Sequence, residues 1–493
     1  MILNYETYKD RVKACFIGKN IGGTMGGPYE WKRELLDVKG FTTPPGKPLP
    51  NDDLDLQLVW LHALEHLGPA GITASALGEF WLSFIHPGWN EYGIGKANMM
   101  RGILPPVSGD LDNNWQNSNG AWIRTEIWAT TAPAIPEVAA KFAIEDAKID
   151  HGAGEGTHAA AFVAAMQSAA FALSSLNACI EVGLAAIPEE SRTAKSVRFV
   201  LDCYEEGKSW AEARNAVLAL NADIGTGWFE APTNVAFAVI GLIYGEGDFK
   251  KSMLTAINCG DDTDCTAATV GATMGILYGM KGIPEDWAAY IGDEIVTVSL
   301  AQGDIGKSFA RSCTELTERI AAAAPTVLHY YSYHCIRRRY EKVRVLFGEE
   351  DIPEDIAEHM KARVSGKVKN ALARLKPNTM HFKEAFLDAE VVLSSSEISP
   401  NGEVTVSLTL ENDRVYDNMA RPVSMRWLLP EGFTAEGRKN ALLPRRDSHN
   451  SGKVQLSYTV RAGETVEGEN RLILEVTSQG RHTALYISFV LIG

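Results

Sequence analysis

The apolar positions of this chain change their period about two-thirds of the way along. Up to about residue 325, small and apolar residues recur at three- and four-residue intervals, as in Gly156–Met166 and Ala213–Leu220, and predict a helical region. Leu54, Leu58, Leu61 and Leu64 keep this spacing, with Gly68 where a C-cap glycine belongs. Residues 267 to 280 predict a long helix, and its Ala267, Ala268, Gly271, Ala272 and Gly275 would let a neighbouring helix pack close. From about residue 386 the runs become short and alternating: Glu390–Ser394, Glu403–Leu410, Val423–Leu428, Val454–Val460, Arg471–Val476 and Leu485–Leu491. Turn residues at Ser399–Gly402, Pro430–Gly432 and Ala462–Gly463 separate them. Six or seven strands in about 108 residues predict an immunoglobulin-like β-sandwich.

Between these regions, residues 326 to 385 carry the basic run Arg337–Arg339 and a charged helical pattern from Glu354 to Leu375. A free linker would not carry Tyr330, Tyr331, Tyr333 and Tyr340, so this segment reads as a packed connector. The expected organisation is multi-domain: an all-α region over 1–325, a connector over 326–385 and an all-β sandwich over 386–493.

Composition narrows the function classes. A chain of 493 residues is too long for one compact core. A net charge of −15 argues against a nucleic-acid partner, which would meet a basic face. Met1–Arg11 is polar, Lys13 interrupts Val12–Phe16, and no uncharged apolar run reaches the roughly 18 residues of a membrane span. Seven cysteines without Cys-x-x-Cys pairing imply reduced thiols and no zinc ribbon. A cytoplasmic protein without membrane or nucleic-acid partners is expected, of undetermined oligomeric state.

Two acidic clusters carry the candidate chemistry. Asn258–Thr269 places Asp261, Asp262 and Asp264 at the mouth of the long helix. Asn51–Gln57 places Asp52 and Asp53 at the start of the Leu54 helix, after a proline-rich loop. Adjacent carboxylates repel unless something positive sits among them, and a helix N-terminus supplies only part of that charge. Hard divalent cations supply the rest. The same residues are also ordinary caps and first-turn residues, so an N-cap reading stands beside the metal reading. An EF-hand is a poor alternative, because a loop starting at Asp262 lacks Gly at its sixth position and reaches Thr273, not Glu, at its twelfth.

Other features have plainer readings. Gly18–Gly27 is glycine-rich, but no strand precedes it, which argues against a dinucleotide loop. His62 and His66 are four apart, yet Glu65 is misplaced for a zincin motif. His151 and His158 read first as satisfied structural histidines. Trp89–Tyr92 and the Pro105–Asp110 turn are candidates for packing or for clamping a substrate ring.

Three segments in order resemble the ADP-ribosylglycohydrolase family, the group containing dinitrogenase reductase-activating glycohydrolase. Gly18–Glu30 is similar to its opening helix and Gly-Asp-Ala-Leu-Gly-x-Pro-x-Glu turn, Asn51–Asp53 to its Thr-Asp-Asp, and Gly260–Cys265 to its Gly-Gly-Asp-Thr-Asp-Thr. Asn119–Arg124 and Ala147–His151 resemble intervening segments, and the likeness spans roughly residues 8 to 300. The resemblance implies an all-helical domain with two divalent cations, Mg2+ or Mn2+. Carried over, Asn51, Asp52, Asp53, Asp262, Asp264 and Cys265 take the metal-ligand positions. Glu30 and Asp53 are the expected acid/base carboxylates; Asn119, Arg124, Glu126 and His151 are expected as substrate or supporting contacts. Asn51 and Cys265 stand where the family has threonine, and Gly23 where it often has aspartate. The Asn51 amide retains a hard oxygen, whereas the Cys265 thiol is soft and poorly matched to magnesium.

The expected activity is hydrolysis of a ribosyl-type N- or O-glycosidic bond, most nearly that of an ADP-ribosylglycohydrolase. Alternatives are a glycosidase acting on a nucleoside or other small glycoside, and a catalytically silent sugar- or nucleotide-binding protein.

Overall fold

The structure, a computed structural model, describes residues 1–300, 308–335, 344–384, 387–412, 419–446 and 450–493. Arg337–Arg339 and Tyr340 lie outside the described residues, as does the Tyr333 side chain.

The N-terminal region is helical and is organised around one close helix pair. Its opening helix, Tyr5–Gly26, runs antiparallel to the Thr263–Tyr278 helix. A Cβ on Gly18 would lie 2.2 Å from the Gly271 carbonyl oxygen, and one on Gly22 would lie 2.3 Å from the Ala267 carbonyl carbon. Gly275 meets Ala14 in the same way, and Gly26 meets Thr263. Glycine and alanine four apart on both helices thus let the backbones touch. That contact brings the C-terminal end of the first helix, just before Glu30, to the N-terminal end of the other, at Asp262 and Asp264. The Asp52–Leu67 helix brings Asp52 and Asp53 to the same place, and one continuous core encloses all three helices.

The C-terminal region is all-β, and two antiparallel sheets enclose a separate core that includes Val391, Val406, Leu408, Leu472 and Ile487. Strands β1 (Ile2–Leu3) and β2 (Leu346–Phe347) lie outside it and pair in parallel, tying the N-terminus to the segment after the helices. The first sheet comprises β3 (Thr379–Glu384), β4 (Leu387–Leu393), β5 (Glu403–Asn412), β7 (Thr434–Gly437) and β9 (Lys453–Arg461), in the order β3-β4-β5-β9-β7. The second comprises β6 (Arg421–Leu428), β8 (Asn440–Leu443), β10 (Glu469–Ser478) and β11 (Ala484–Ile492), in the order β11-β10-β6-β8. Along β5, buried and outward residues alternate, the period-two pattern expected of a strand with one face on a core. Besides β1 and β2, three strands of these two sheets were not foreseen. β7 and β8 have only four residues each, mostly exposed, too short for alternation to declare itself. β3 falls in the segment expected as connector.

That segment is divided between the two regions. Ile356, Met360, Val364, Val368 and Leu372, spaced by four, are buried in the helical core, and the chain then enters β3. Tyr331 packs edge-on to Phe142 at 5.8 Å. The Pro105–Asp110 turn serves this junction rather than the acidic cluster, because Ile103 and Val107 pack with Val490 of β11. Val490→Asp would bury a charge in that contact and is expected to cost about 2–3 kcal/mol in a urea titration. An unchanged midpoint would mean that the two regions are not mechanically joined there.

Candidate metal centre and substrate pocket

The four aspartates expected as metal ligands converge with Glu30. Glu30 follows the Gly27–Tyr29 turn, with its N–H donating to the Gly27 carbonyl. Asn51 caps the Asp52–Leu67 helix: its Oδ1 accepts the Asp53 N–H at 2.8 Å. Asp262 is the cap of the Thr263–Tyr278 helix, and Asp264 sits in its first turn. Ligand atoms of Glu30, Asp262 and Asp264 lie within 4.8 Å of one another, and so do those of Asp53, Asp264 and Cys265. Asp264 is common to both groups.

Asp261 turns away. Gly260 and Asp261 both have left-handed backbone, with φ of 77° and 67°, and this reverses the side-chain direction between consecutive aspartates. A Cβ at Gly260 would lie 2.5 Å from the Lys32 carbonyl oxygen, so that position requires glycine. Asp261 is held instead by Arg33 at 3.6 Å and by the Asn234 amide.

Electrostatically, the cluster is short of positive charge: Lys19, 3.5 Å from Asp53, is the cation that faces it among the described residues. Burial, then Asp52 and Asp53, push the Glu30 carboxyl up to about 7. Burial, then Glu30, raise Asp264 to about 7. Burial also raises Asp52, Asp53 and Asp262, and it keeps the Cys265 thiol protonated. Asp262 Oδ1 and Asp264 Oδ1 are buried without a hydrogen-bond donor. Carboxylate oxygens gathered this closely, several of them unsatisfied, fit a hard divalent cation.

The pH dependence of stability follows from these shifts. Glu30 and Asp264 titrate near 7 in the folded chain, against ordinary values of 4.5 and 3.8. Between about pH 4 and 7 the folded state then holds more protons than the unfolded, so stability falls as pH rises through that window. Asp55 and Glu230, raised to about 7, act in the same direction. Glu145, Asp150 and Glu155, lowered to about 2, act oppositely but only below their ordinary values. Chelator-treated protein should therefore melt at a higher temperature near pH 5.5 than near pH 7.5, and added Mn2+ should raise the second value more. Calorimetry checks this, and a melting temperature that climbs with pH without metal would contradict it.

A pocket of about 530 Å³ opens over the cluster. Its lining includes Glu30, Asp52, Asn119, Asp262, Asp264 and Cys265, and Trp31, Trp89, Tyr92 and Phe229 stand as aromatic walls. Trp31 meets Phe229 edge-on at 4.3 Å and is 55% exposed. Tyr92 donates its hydroxyl to Asp52 Oδ2 at 3.2 Å. Asn119 Nδ2 donates to Asp262 Oδ2 at 2.6 Å, its own Oδ1 being held by the Trp122 indole N–H.

The remaining expected contacts lie behind the pocket wall. Arg124 is fully buried, paired with Asp146 at 2.9 Å and Asp150 at 2.8 Å. His151 is fully buried, with Nδ1 2.8 Å from Asp150 Oδ1. Glu126 accepts from Gln57 and pairs with Lys19 at 3.1 Å. Asp53 is also fully enclosed. None of these four lines the pocket.

Sequence reasoning missed Lys19, Trp31 and Phe229. A lysine in a helix reads as surface, and only the glycine seam on its own helix hinted that Lys19 is enclosed. Trp31 and Phe229 sit in loops with positive φ, where no periodicity reports direction.

Over 50 residues the chain is 38% identical to ADP-ribosylarginine hydrolase Tri1 of Pseudomonas putida (strain GB-1), a match spanning 10% of this chain and 14% of that protein. A solved ADP-ribosylglycohydrolase-related protein complex is similar at 21% identity and TM-score 0.41, over 65% of this chain and 98% of that chain. The FixG-related protein from Vibrio parahaemolyticus is similar at 9% identity and TM-score 0.19, over 22% of this chain and 97% of that chain. Residues 4–325 match the ADP-ribosylglycohydrolase family profile, and with that match over most of its length the chain belongs to the ADP-ribosylglycohydrolase family.

Proposed function

We propose that the protein is a metal-dependent hydrolase of a ribosyl-type glycosidic bond, with ADP-ribosyl groups as its substrates. The observation that carries this reading is the gathering of Glu30, Asp52, Asp262 and Asp264 on the floor of a pocket with aromatic walls. Glu30, Asp52, Asp262 and Asp264, with Asp53 behind them, would hold Mg2+ or Mn2+, which supplies Lewis acidity toward the vicinal ribose hydroxyls and an attacking water. Cleavage at the anomeric carbon develops oxocarbenium character, and the surrounding carboxylates favour that charge. Glu30, which faces the pocket beside the other carboxylates, is the proton acceptor for the water. Asp53, enclosed beneath the floor, holds the cluster together instead of reaching water. Tyr92 and Asn119 orient Asp52 and Asp262 through their hydrogen bonds. Trp31, Trp89 and Phe229 offer faces and edges to a flat ring and narrow the access of bulk water.

The relative in Pseudomonas putida carries the name ADP-ribosylarginine hydrolase, which makes arginine-linked ADP-ribose the first substrate to try. The Asn51 and Cys265 departures support a second reading, a nucleoside or other small glycoside as substrate. Full-length protein incubated with ADP-ribosylated protein and a nucleoside panel, with Mn2+, Mg2+ or EDTA, separates the cases by mass spectrometry. Metal-dependent release of ADP-ribose is expected. Release of a base or aglycone alone supports the second reading, and binding without turnover of any substrate overturns both.

A further inference from the structure

The two donor groups that share Asp264 are not equivalent. Glu30, Asp262 and Asp264 present three carboxylates to the pocket, with Asp262 Oδ1 and Asp264 Oδ1 lacking any protein donor. At the other group, both oxygens of Asp53 face positive or donating atoms. The Lys19 ammonium lies 3.5 Å from Asp53 Oδ2, and the Cys265 thiol donates to Asp53 Oδ1 at 3.3 Å.

Lys19 is built into this position. It is fully enclosed, donates to the Ile123 carbonyl at 2.7 Å and pairs with Glu126 at 3.1 Å, so its charge has no route to solvent. Asn51 withdraws a further donor. Its oxygen is committed to the Asp53 N–H, and its Nδ2, which carries hydrogens and no free lone pair, points at Gly23. A Cβ at residue 23 would stand 1.8 Å from that nitrogen, so Gly23 is what makes room for it. The Cys265 thiol is too soft to replace an oxygen ligand for Mg2+ or Mn2+. Within this group Asp264 is already shared, and Asp53 Oδ2, which accepts no hydrogen bond, faces the Lys19 ammonium, so few hard donors remain for an ion that seeks about six.

We propose that this chain binds a single divalent cation, at Glu30, Asp262 and Asp264, and that the Lys19 ammonium occupies the role of a second cation beside Asp53. The inference rests on the metal-dependent reading above and refines it. A fixed ammonium pairs with Asp53 and Glu126 together without an exchangeable ion, and its charge repels a second cation from Asp53. The pocket-facing group keeps its open oxygens for the ion that meets substrate.

The test is the Mn2+ stoichiometry of chelator-treated, full-length protein, read by equilibrium dialysis and electron paramagnetic resonance, with anomalous diffraction from Mn2+-soaked crystals. One Mn2+ per chain, its anomalous peak at Glu30, Asp262 and Asp264, is expected. Two ions per chain would overturn the proposal while leaving the metal reading intact, and none would overturn both. Lys19→Met, checked for folding by circular dichroism, should raise the stoichiometry toward two. A folded variant that still binds one ion would remove Lys19 from the explanation. The wild-type stoichiometry and the position of the peak decide the matter even if that variant does not fold.

Discussion

Asp264→Asn is expected to reduce turnover by on the order of 10³-fold and to weaken Mn2+ binding severely, while the metal-free protein becomes no less stable. Asp264 belongs to both donor groups found among the described residues, so its loss affects both. The amide keeps the shape of the carboxyl but removes a charge that Glu30 and Asp52 oppose. Relief of that repulsion should offset the lost hydrogen-bonding capacity near neutral pH. Thermal unfolding in EDTA, Mn2+ calorimetry and activity measured on one preparation test the three parts together. A variant with near-normal turnover at limiting Mn2+ would remove Asp264 from the site. A variant that simply fails to fold would make the acidic turn a cap instead of a ligand set.

Arg124→Met should cost about 3–5 kcal/mol of unfolding free energy, because it strands two buried carboxylates at once. Asp146 and Asp150 both depend on this guanidinium, and Asp150 also orients His151. The Trp81 and Tyr92 rings flank the guanidinium at 4.9 and 5.7 Å, so a lysine ammonium cannot reproduce the planar contact. Arg124→Lys should therefore be intermediate in stability. Whatever folded fraction remains should bind substrate with little change in KM. Denaturant titration with steady-state kinetics distinguishes this from a role in substrate recognition. A stable variant with a much higher KM would put the guanidinium in contact with substrate.

Much of the architecture was legible because it is written in local periodicities. The alternation in Glu403–Leu410 and Arg471–Val476 announced strands, and β5 and β10 cover them. The small residues of the Thr263–Tyr278 helix announced a close neighbour, and the glycines of the opening helix meet them. The acidic pairs announced themselves as uncompensated charge at helix starts. Side-chain direction was not legible, and supporting and substrate-contact readings stayed open together. Arg124, Glu126 and His151 sit in segments near the pocket, yet their side chains point into the core behind it, where Asp146, Asp150, Lys19 and Gln57 satisfy them.

By itself, then, the sequence determined that a helical region precedes an all-β one, and that two acidic helix starts need a partner of opposite charge. Spacing of three or four against spacing of two, and repulsion between adjacent carboxylates, are properties of neighbours along the chain. The tertiary structure alone decided that Glu30 meets Asp262 and Asp264, that Asp261 faces the other way, and that Lys19 reaches Asp53. Those outcomes depend on how closely two glycine-lined helices approach and on left-handed backbone at residues 260 and 261. The helix approach acts between segments more than 200 residues apart, and the reversal at 260 and 261 is fixed by the Lys32 carbonyl packed against Gly260, so neither is reported by a local pattern.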